Sequence, residues 1–179
     1  MYLRVKDRFF YLILFIYVFS RYITHHARLR SMDADSAGLE EQKAIETLRK
    51  DSLAEPVIQT DNGFSFIGYE FRIVLKQNGL TQKWIHPHTP EQNGIVERAN
   101  GTLSDMIDSS VVTNYQVVCS TIAGIVQFYN NERRHLSLKY LTPAQYYRGN
   151  PDEFSKTRDQ NRDGKNDKEG EEYERKKRR

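Results

Sequence analysis

"FFYLILFIYVF", residues 9–19, decides what kind of chain this is. Arg4, Lys6 and Arg8 lead into it, so basic residues precede an apolar run, the layout of a secretory signal. "SRYITHHARLR", residues 20–30, follows; it is bulky and basic and offers no small-x-small cleavage site. The run is also well short of the roughly 20 residues that a spanning helix needs. It is rich in β-branched and aromatic residues and bounded by charge, so it reads as a buried strand.

Working outward, residues 2–5, 9–18 and 21–29 read as three successive strands, separated by "KDR" and by Ser20-Arg21. Such short connections imply antiparallel pairing. "SMDADSAG" then supplies the N-cap candidates Asp33, Asp35 and Ser36 for a helix to about Lys50, with Ala37, Ala44, Ile45 and Leu48 near one face. "EPVIQT" is a short strand opening at Pro56. After it Ile67, Phe71, Val74 and Leu75 fall at helical spacing, ending on Asn78-Gly79 as a C-cap. "LTQKWI", 80–85, alternates like a strand, and "HPHTPEQNG" is a loop by composition. Val96, Ala99, Leu103 and Met106 mark another helix, and Val118, Ile122, Ile125 and Tyr129 a further one over about 115–130. "LTPAQYY", 141–147, starts a last short helix with Thr142 as N-cap and Pro143 at its first position. Helix–strand alternation after an antiparallel start predicts an α/β fold, a mixed sheet with helices on its faces.

The length of 179 residues suits one domain with a real core. A net charge of +3 neither demands nor excludes nucleic acid. A single cysteine, Cys119, forms no internal disulfide, in keeping with a reducing cytosol. From Asn150 the sequence is mostly charged, with two aromatics and no aliphatic residue. It buries too little surface to offset its ordering entropy, so residues 150–179 are expected to be a disordered tail after a domain over 1–149. Its "ERKKRR" end reads as a solvated tail or as a phosphate contact.

Two stretches carry chemistry, "TDNG" at 60–63 and "NGIVERANGTL" at 93–103. Asp61 falls at the C-terminal end of a predicted strand, where open α/β sheets place their ligands. Glu97 falls near the start of a predicted helix, and Asn100, Gly101 and Ser104 share its small polar face. Gly101 costs a helix interior about 1 kcal/mol against alanine. It suits either a close approach by another molecule or simple surface tolerance. Carboxylates on separate elements that converge are what a two-metal phosphoryl-transfer site requires, because hard divalent cations favour carboxylate oxygens. The pair alone is equally an ordinary turn acid and an ordinary helix acid.

Taken together, "TDNG", "HPHTPEQNGIVERANGTL", "FYNNERRHLSLKYLTPAQYY" and the 35 residues between Asp61 and Glu97 resemble the catalytic core of DDE-type integrases and transposases, above all the retroviral-integrase-like transposases of bacterial insertion sequences. The likeness runs over about residues 2–150 and is most specific in the second half. It implies an RNase H-like fold, a mixed five-stranded sheet with helices on both faces. It implies metal-dependent nicking of DNA ends and strand transfer, with water and then a 3′-hydroxyl as nucleophiles. It implies Mg²⁺ or Mn²⁺ as cofactor, with Asp61 and Glu97 as the second and third catalytic and metal-binding acids. The loop Pro90–Gly94 would lie beside the DNA end, with Gln92 and Asn93 touching DNA, and Arg98 and Asn100 as further contacts. Implied partners are transposon-end and target DNA, a second copy or a full-length transposase, and no membrane. The implied location is the bacterial cytoplasm, at the nucleoid when bound to DNA.

The sequence also departs from that family. The first acid belongs to an Asp-x-Thr-Tyr motif on the first strand; if Tyr2 is that tyrosine, the Asp would fall two residues before Met1. Asp7 belongs to a turn, and Asp33 and Asp35 read as helix caps, so none is a natural substitute. Tyr17 stands where the family carries an Asp, and the DNA-binding segment that precedes the family's core is absent from these residues. The expectation is therefore an impaired enzyme, with a catalytically dead remnant that binds DNA or a full-length transposase as the alternative. An RNase H-like nuclease on another substrate and a small exported protein are more distant rivals. His86, His88 and His25-His26 lack the spacing of a second ligand cluster for zinc. "NNERRH", 130–135, reads equally as a solvated loop and as a structural or DNA-proximal turn.

Overall fold

A computed structural model describes residues 2–5, 8–51, 56–61, 63–85, 89, 93–107, 115–154 and 156. The run that decided the reading is strand β2, Arg8–Tyr17, the middle of an antiparallel sheet between β1, Tyr2–Val5, and β3, Tyr22–Leu29. Its unbroken hydrophobicity has a direct cause: both of its faces are covered. Phe10 and Leu12, with Leu14 and Ile16, pack against Ala99 and Leu103 of helix α4, Gly94–Met106, and Val118, Ile122, Val126 and Tyr129 of helix α5, Tyr115–Asn131. Ile13 and Phe15 point the other way, into a cluster with Ala27 and Leu29 of β3, Ala37 of helix α1, Ala34–Lys50, and Phe71 and Leu75 of helix α3, Tyr69–Gln77. A strand has period two, so a strand with helices on both faces must be apolar at nearly every position. Among the described residues no helix is long and apolar enough to cross a membrane.

The β2–β3 ladder slips by one residue between Phe15 and Ile16, leaving Thr24 as the extra residue of β3. The polar groups freed there are satisfied by side chains. Thr24 Oγ1 donates to the Phe15 carbonyl at 3.1 Å. Buried Asn130 of α5 accepts from the Ile23 N–H at 2.9 Å and donates to its carbonyl at 3.0 Å. The strands are a residue shorter at this end than expected, because residues 18–21 form the turn and Arg21 sits in the left-handed region at φ 62°.

The second sheet is parallel: β4, Ile58–Thr60, pairs with β5, Gln82–Trp84. The crossover between them is not one helix but two. Helix α2, Phe64–Ile67, stops at Gly68, whose ψ of 151° is extended, and α3 begins at the next residue. A Cβ on Gly68 would overlap the Ala34 Cβ, so this break lets the crossover pass the start of α1. The expected C-cap holds: Gly79, at φ 70°, donates to the Lys76 carbonyl at 3.1 Å and Leu80 to the Leu75 carbonyl at 2.9 Å. Both bonds together make a Schellman ending.

The α/β class and the helices on both faces are therefore present. The described strand pairs, however, form two sheets, and none of them joins β1 or β3 to β4 or β5. Strands of three residues, such as β4 and β5, offer few ladder bonds with which to join a larger sheet. Helix α6, Pro143–Arg148, carries the expected cap as a full capping box between Thr142 and Gln145. Of the expected tail, residues 151–154 are helical and 157–179 lie outside the described residues.

Candidate active site

Asp61 follows directly on β4, whose last residue, Thr60, is buried. Gln82 of β5 pins that end, donating from Nε2 to Thr60 Oγ1 at 2.9 Å and to the Phe66 carbonyl at 3.0 Å. Asp61 is exposed and its Oδ1 accepts from the Gly63 N–H at 2.9 Å, an Asx turn. A Cβ on Gly63 would stand 2.9 Å from that oxygen, so glycine is what allows the turn to close so tightly. The chain then enters α2, anchored where Ser65 Oγ donates to the Met32 carbonyl at 2.6 Å. The turn reading of this stretch is thus correct, and the same turn fixes one carboxylate oxygen while leaving the residue in solvent. Asn62 lies outside the described residues.

Glu97 is exposed in the first turn of α4. Its N–H donates to the Asn93 carbonyl at 3.0 Å, and its Oε1 accepts from Asn93 Nδ2 at 3.3 Å. An acid here is also favoured by the helix dipole. Buried Ala99 and Leu103 fix the rotation of α4, which is why Glu97 and Arg98 face solvent. Asn100 is half-buried, and its Oδ1 is shielded from water without a hydrogen-bond partner among the described residues. Around Gly101 a Cβ would meet nothing within 4 Å, so nothing in the described chain requires the glycine. Among the described residues no hydrogen bond or ion pair links Asp61 to Glu97, and no group of three His, Cys, Asp or Glu residues is arranged to hold a metal. Gln92, most of the Pro90–Gly94 loop, Asp7, His86 and His88 lie outside the described residues.

The other candidates resolve as structure. Asp33 is the N-cap of α1, its Oδ1 accepting from the Ser36 N–H at 2.8 Å. His25 pairs with Glu40 at 2.7 Å, and Lys43 meets the other oxygen of Glu40 at 2.7 Å. Tyr17 stands edge-on to Tyr147 at 5.6 Å, and Tyr147 stacks on Tyr22 at 4.3 Å. In this chain Tyr17 therefore belongs to the packing of α6 on the β2–β3 turn. In "NNERRH", Asn130 is the clamp on Ile23, and the His135 ring stands edge-on to Tyr129 at 5.0 Å. Sequence reasoning did not single out Asn130; a polar residue at a buried helical position was the available signal. It also missed Glu41, fully buried on α1, for which an acid on the face of Ala37 and Ala44 was the signal.

Residues 78–143 match the integrase core domain family. They include Glu97, Arg98 and Asn100, and the strand end bearing Asp61 lies beside them across the β4–β5 pair. Over these residues the chain is similar to DDE-type integrase and transposase cores. Its curated relatives include a protein named transposase InsK, of insertion sequence element IS150 in Escherichia coli, 28% identical over 92 residues. A 31.7 kDa protein of insertion element IS407 from Burkholderia multivorans is 28% identical over 116 residues. These alignments cover 51% and 64% of this chain but only 32% and 42% of the relatives, so the chain spans less than half of either. The fold agrees. A simian T-cell lymphotropic virus intasome matches with a TM-score of 0.70 at 18% identity, over 84% of this chain and 52% of that one. The HTLV-2 integrase catalytic core domain, solved in complex with magnesium in a trimeric form, matches at 0.63 and 17%, over 82% of this chain and 90% of that one.

Proposed function

We propose that this core acts on DNA, nicking transposon ends by hydrolysis and then joining the free 3′-hydroxyl to a target strand. The observation that carries the reading is the conjunction at two ends of the fold. Integrase-core sequence surrounds Glu97, and Asp61 follows the last residue of a parallel strand, where such sheets take their ligands. Both acids are exposed hard-oxygen donors. A neighbouring amide, Gly63 N–H or Asn93 Nδ2, fixes one oxygen of each, and the other takes no bond from a described residue. That donor set fits Mg²⁺ or Mn²⁺, which would supply positive charge at the reacting phosphate. The core's own part is to hold Asp61 and Glu97 in place and to align the DNA with Asn93, Arg98 and Asn100, and with Gln92 on the preceding loop.

In this reading β1 would extend to β4, completing the RNase H-like five-stranded mixed sheet beneath Asp61. The proposal assigns only the second and third acids of the triad, Asp61 and Glu97, and takes none of Asp7, Asp33 and Asp35 as the first. A second copy or a full-length transposase is the protein partner, and the bacterial nucleoid the place of action.

The test is a strand-transfer assay with Mn²⁺ and a donor oligonucleotide. Weak joining, abolished by Glu97→Gln and by Asp61→Asn, is the expected result. Joining indifferent to both substitutions would overturn the assignment of the site. DNA binding without any joining would return the chain to a non-catalytic DNA-binding remnant.

A further inference from the structure

Helix α3 borders a groove of about 390 Å³ lined by Tyr69, Arg72, Ile73, Lys76, Leu80 and Gln82. Arg72 and Lys76 are one turn apart, a repulsive arrangement on a helix surface. No acid sits three or four residues from either along α3: the neighbours are Gly68, Tyr69, Leu75, Ile73, Gly79 and Leu80. Neither forms an ion pair among the described residues. Glu70, the acid of the first turn, does not line the groove. Tyr69, in the same lining, is 71% exposed. An exposed aromatic beside two uncompensated cations is complementary to a polyanion.

The groove is also joined to the candidate site. Gln82, in its lining, donates to Thr60, the residue before Asp61. We infer that this groove holds the phosphodiester backbone of DNA running on from Asp61, with Arg72 and Lys76 each meeting a phosphate and Tyr69 bordering the strand. The inference rests on the DNA reading above only in taking DNA as the polyanion; it adds a contact surface on α3 that integrase-core sequence over 78–143 does not include.

Fluorescence anisotropy of a short labelled duplex with the full chain, titrated across salt concentrations, tests it. Each phosphate contact contributes roughly 0.9 to the slope of log K against log salt. The double variant Arg72→Gln/Lys76→Gln should therefore flatten the slope by about two and weaken binding roughly tenfold or more near 0.1 M salt. Arg30→Gln/Lys50→Gln removes the same charge from exposed positions on other elements and should leave the slope as it is. The exchange Arg72→Lys/Lys76→Arg keeps both charges and should keep the slope, which separates lost contacts from lost folding. An unchanged slope in the groove variant, an equal fall in the control pair, or no duplex binding by the unaltered chain each overturns the groove. Glu97→Gln should abolish joining and leave the slope intact, so failure of the groove and failure of the catalytic reading are read in different assays.

Discussion

Glu41 is fully buried on α1, and neither carboxylate oxygen has a hydrogen-bond partner among the described residues. Burial pushes its pKa up from 4.5 to about 8. The folded chain therefore keeps a proton there that the unfolded chain releases above 4.5. Its contribution to stability is complete below pH 4.5 and is lost as pH rises through 8, at a cost on the order of a few kcal/mol. His135 works in the opposite direction. Burial, and then the charges of Arg133 and Arg21, lower its pKa from 6.5 to about 4. Stability linked to it is present above 6.5 and is lost as pH falls through 4. The two oppose each other between 4.5 and 6.5, and above 6.5 Glu41 acts alone. Denaturant melts at pH 6.5 and 8 should therefore show lower stability at 8. Glu41→Gln should flatten that fall, and Glu41→Leu should raise stability at pH 8 outright. A fall of the same size in Glu41→Gln would assign it to another group. On the acid side, His135→Gln should lessen the loss of stability between pH 6.5 and 4, read by the same melts.

At the scale of elements, the crossover from β4 to β5 depends on one close approach. Gly68→Ala puts a Cβ into that of Ala34 and should cost about 1–3 kcal/mol by overpacking. Adding Ala34→Gly removes the opposing Cβ and should recover much of the loss, a coupling that independent sites would not show. The β2–β3 bulge depends on Asn130 in the same way. Asn130→Ala leaves the Ile23 N–H and carbonyl buried without partners and should cost about 1–3 kcal/mol in a thermal or denaturant melt. These elements also mark what the sequence could and could not convey. The strand nature of 9–19, the Asp33 and Thr142 caps and the Gly79 ending are local rules written in local residues, and each was legible. The break at Gly68 was not, because its cause is Ala34, far away in the chain. The clamp on Ile23 was not, because 107 residues separate the two partners. The candidate site divides along the same line. Asp61 at a strand end and Glu97 in a first turn follow from neighbouring residues. How β4 and β5 relate to the larger sheet depends on long-range pairing that periodicity does not encode.

For the whole molecule, β2 is the element shared by both cores. Its even-numbered apolar residues belong to the cluster with α4 and α5, and Ile13 and Phe15 to the cluster with α1 and α3. Helix α4 carries Glu97, and Ile58 and Phe66, which flank Asp61 on β4 and α2, pack against the cluster of α1 and α3, so each candidate acid hangs on a different cluster. Such a chain should unfold as one unit, because neither cluster keeps its floor once β2 leaves the sheet. Leu103→Ala probes one side and Leu75→Ala the other; both side chains are almost wholly buried, and each truncation should cost about 2–5 kcal/mol. Circular dichroism in the far ultraviolet and tyrosine fluorescence should report a single coincident transition in each variant, moved to lower denaturant with its slope unchanged. Two separated transitions, one shifted by Leu103→Ala and the other by Leu75→Ala, would mean that the clusters fold independently. Coincident transitions would mean instead that a change beneath either acid alters the population of the fold that holds both.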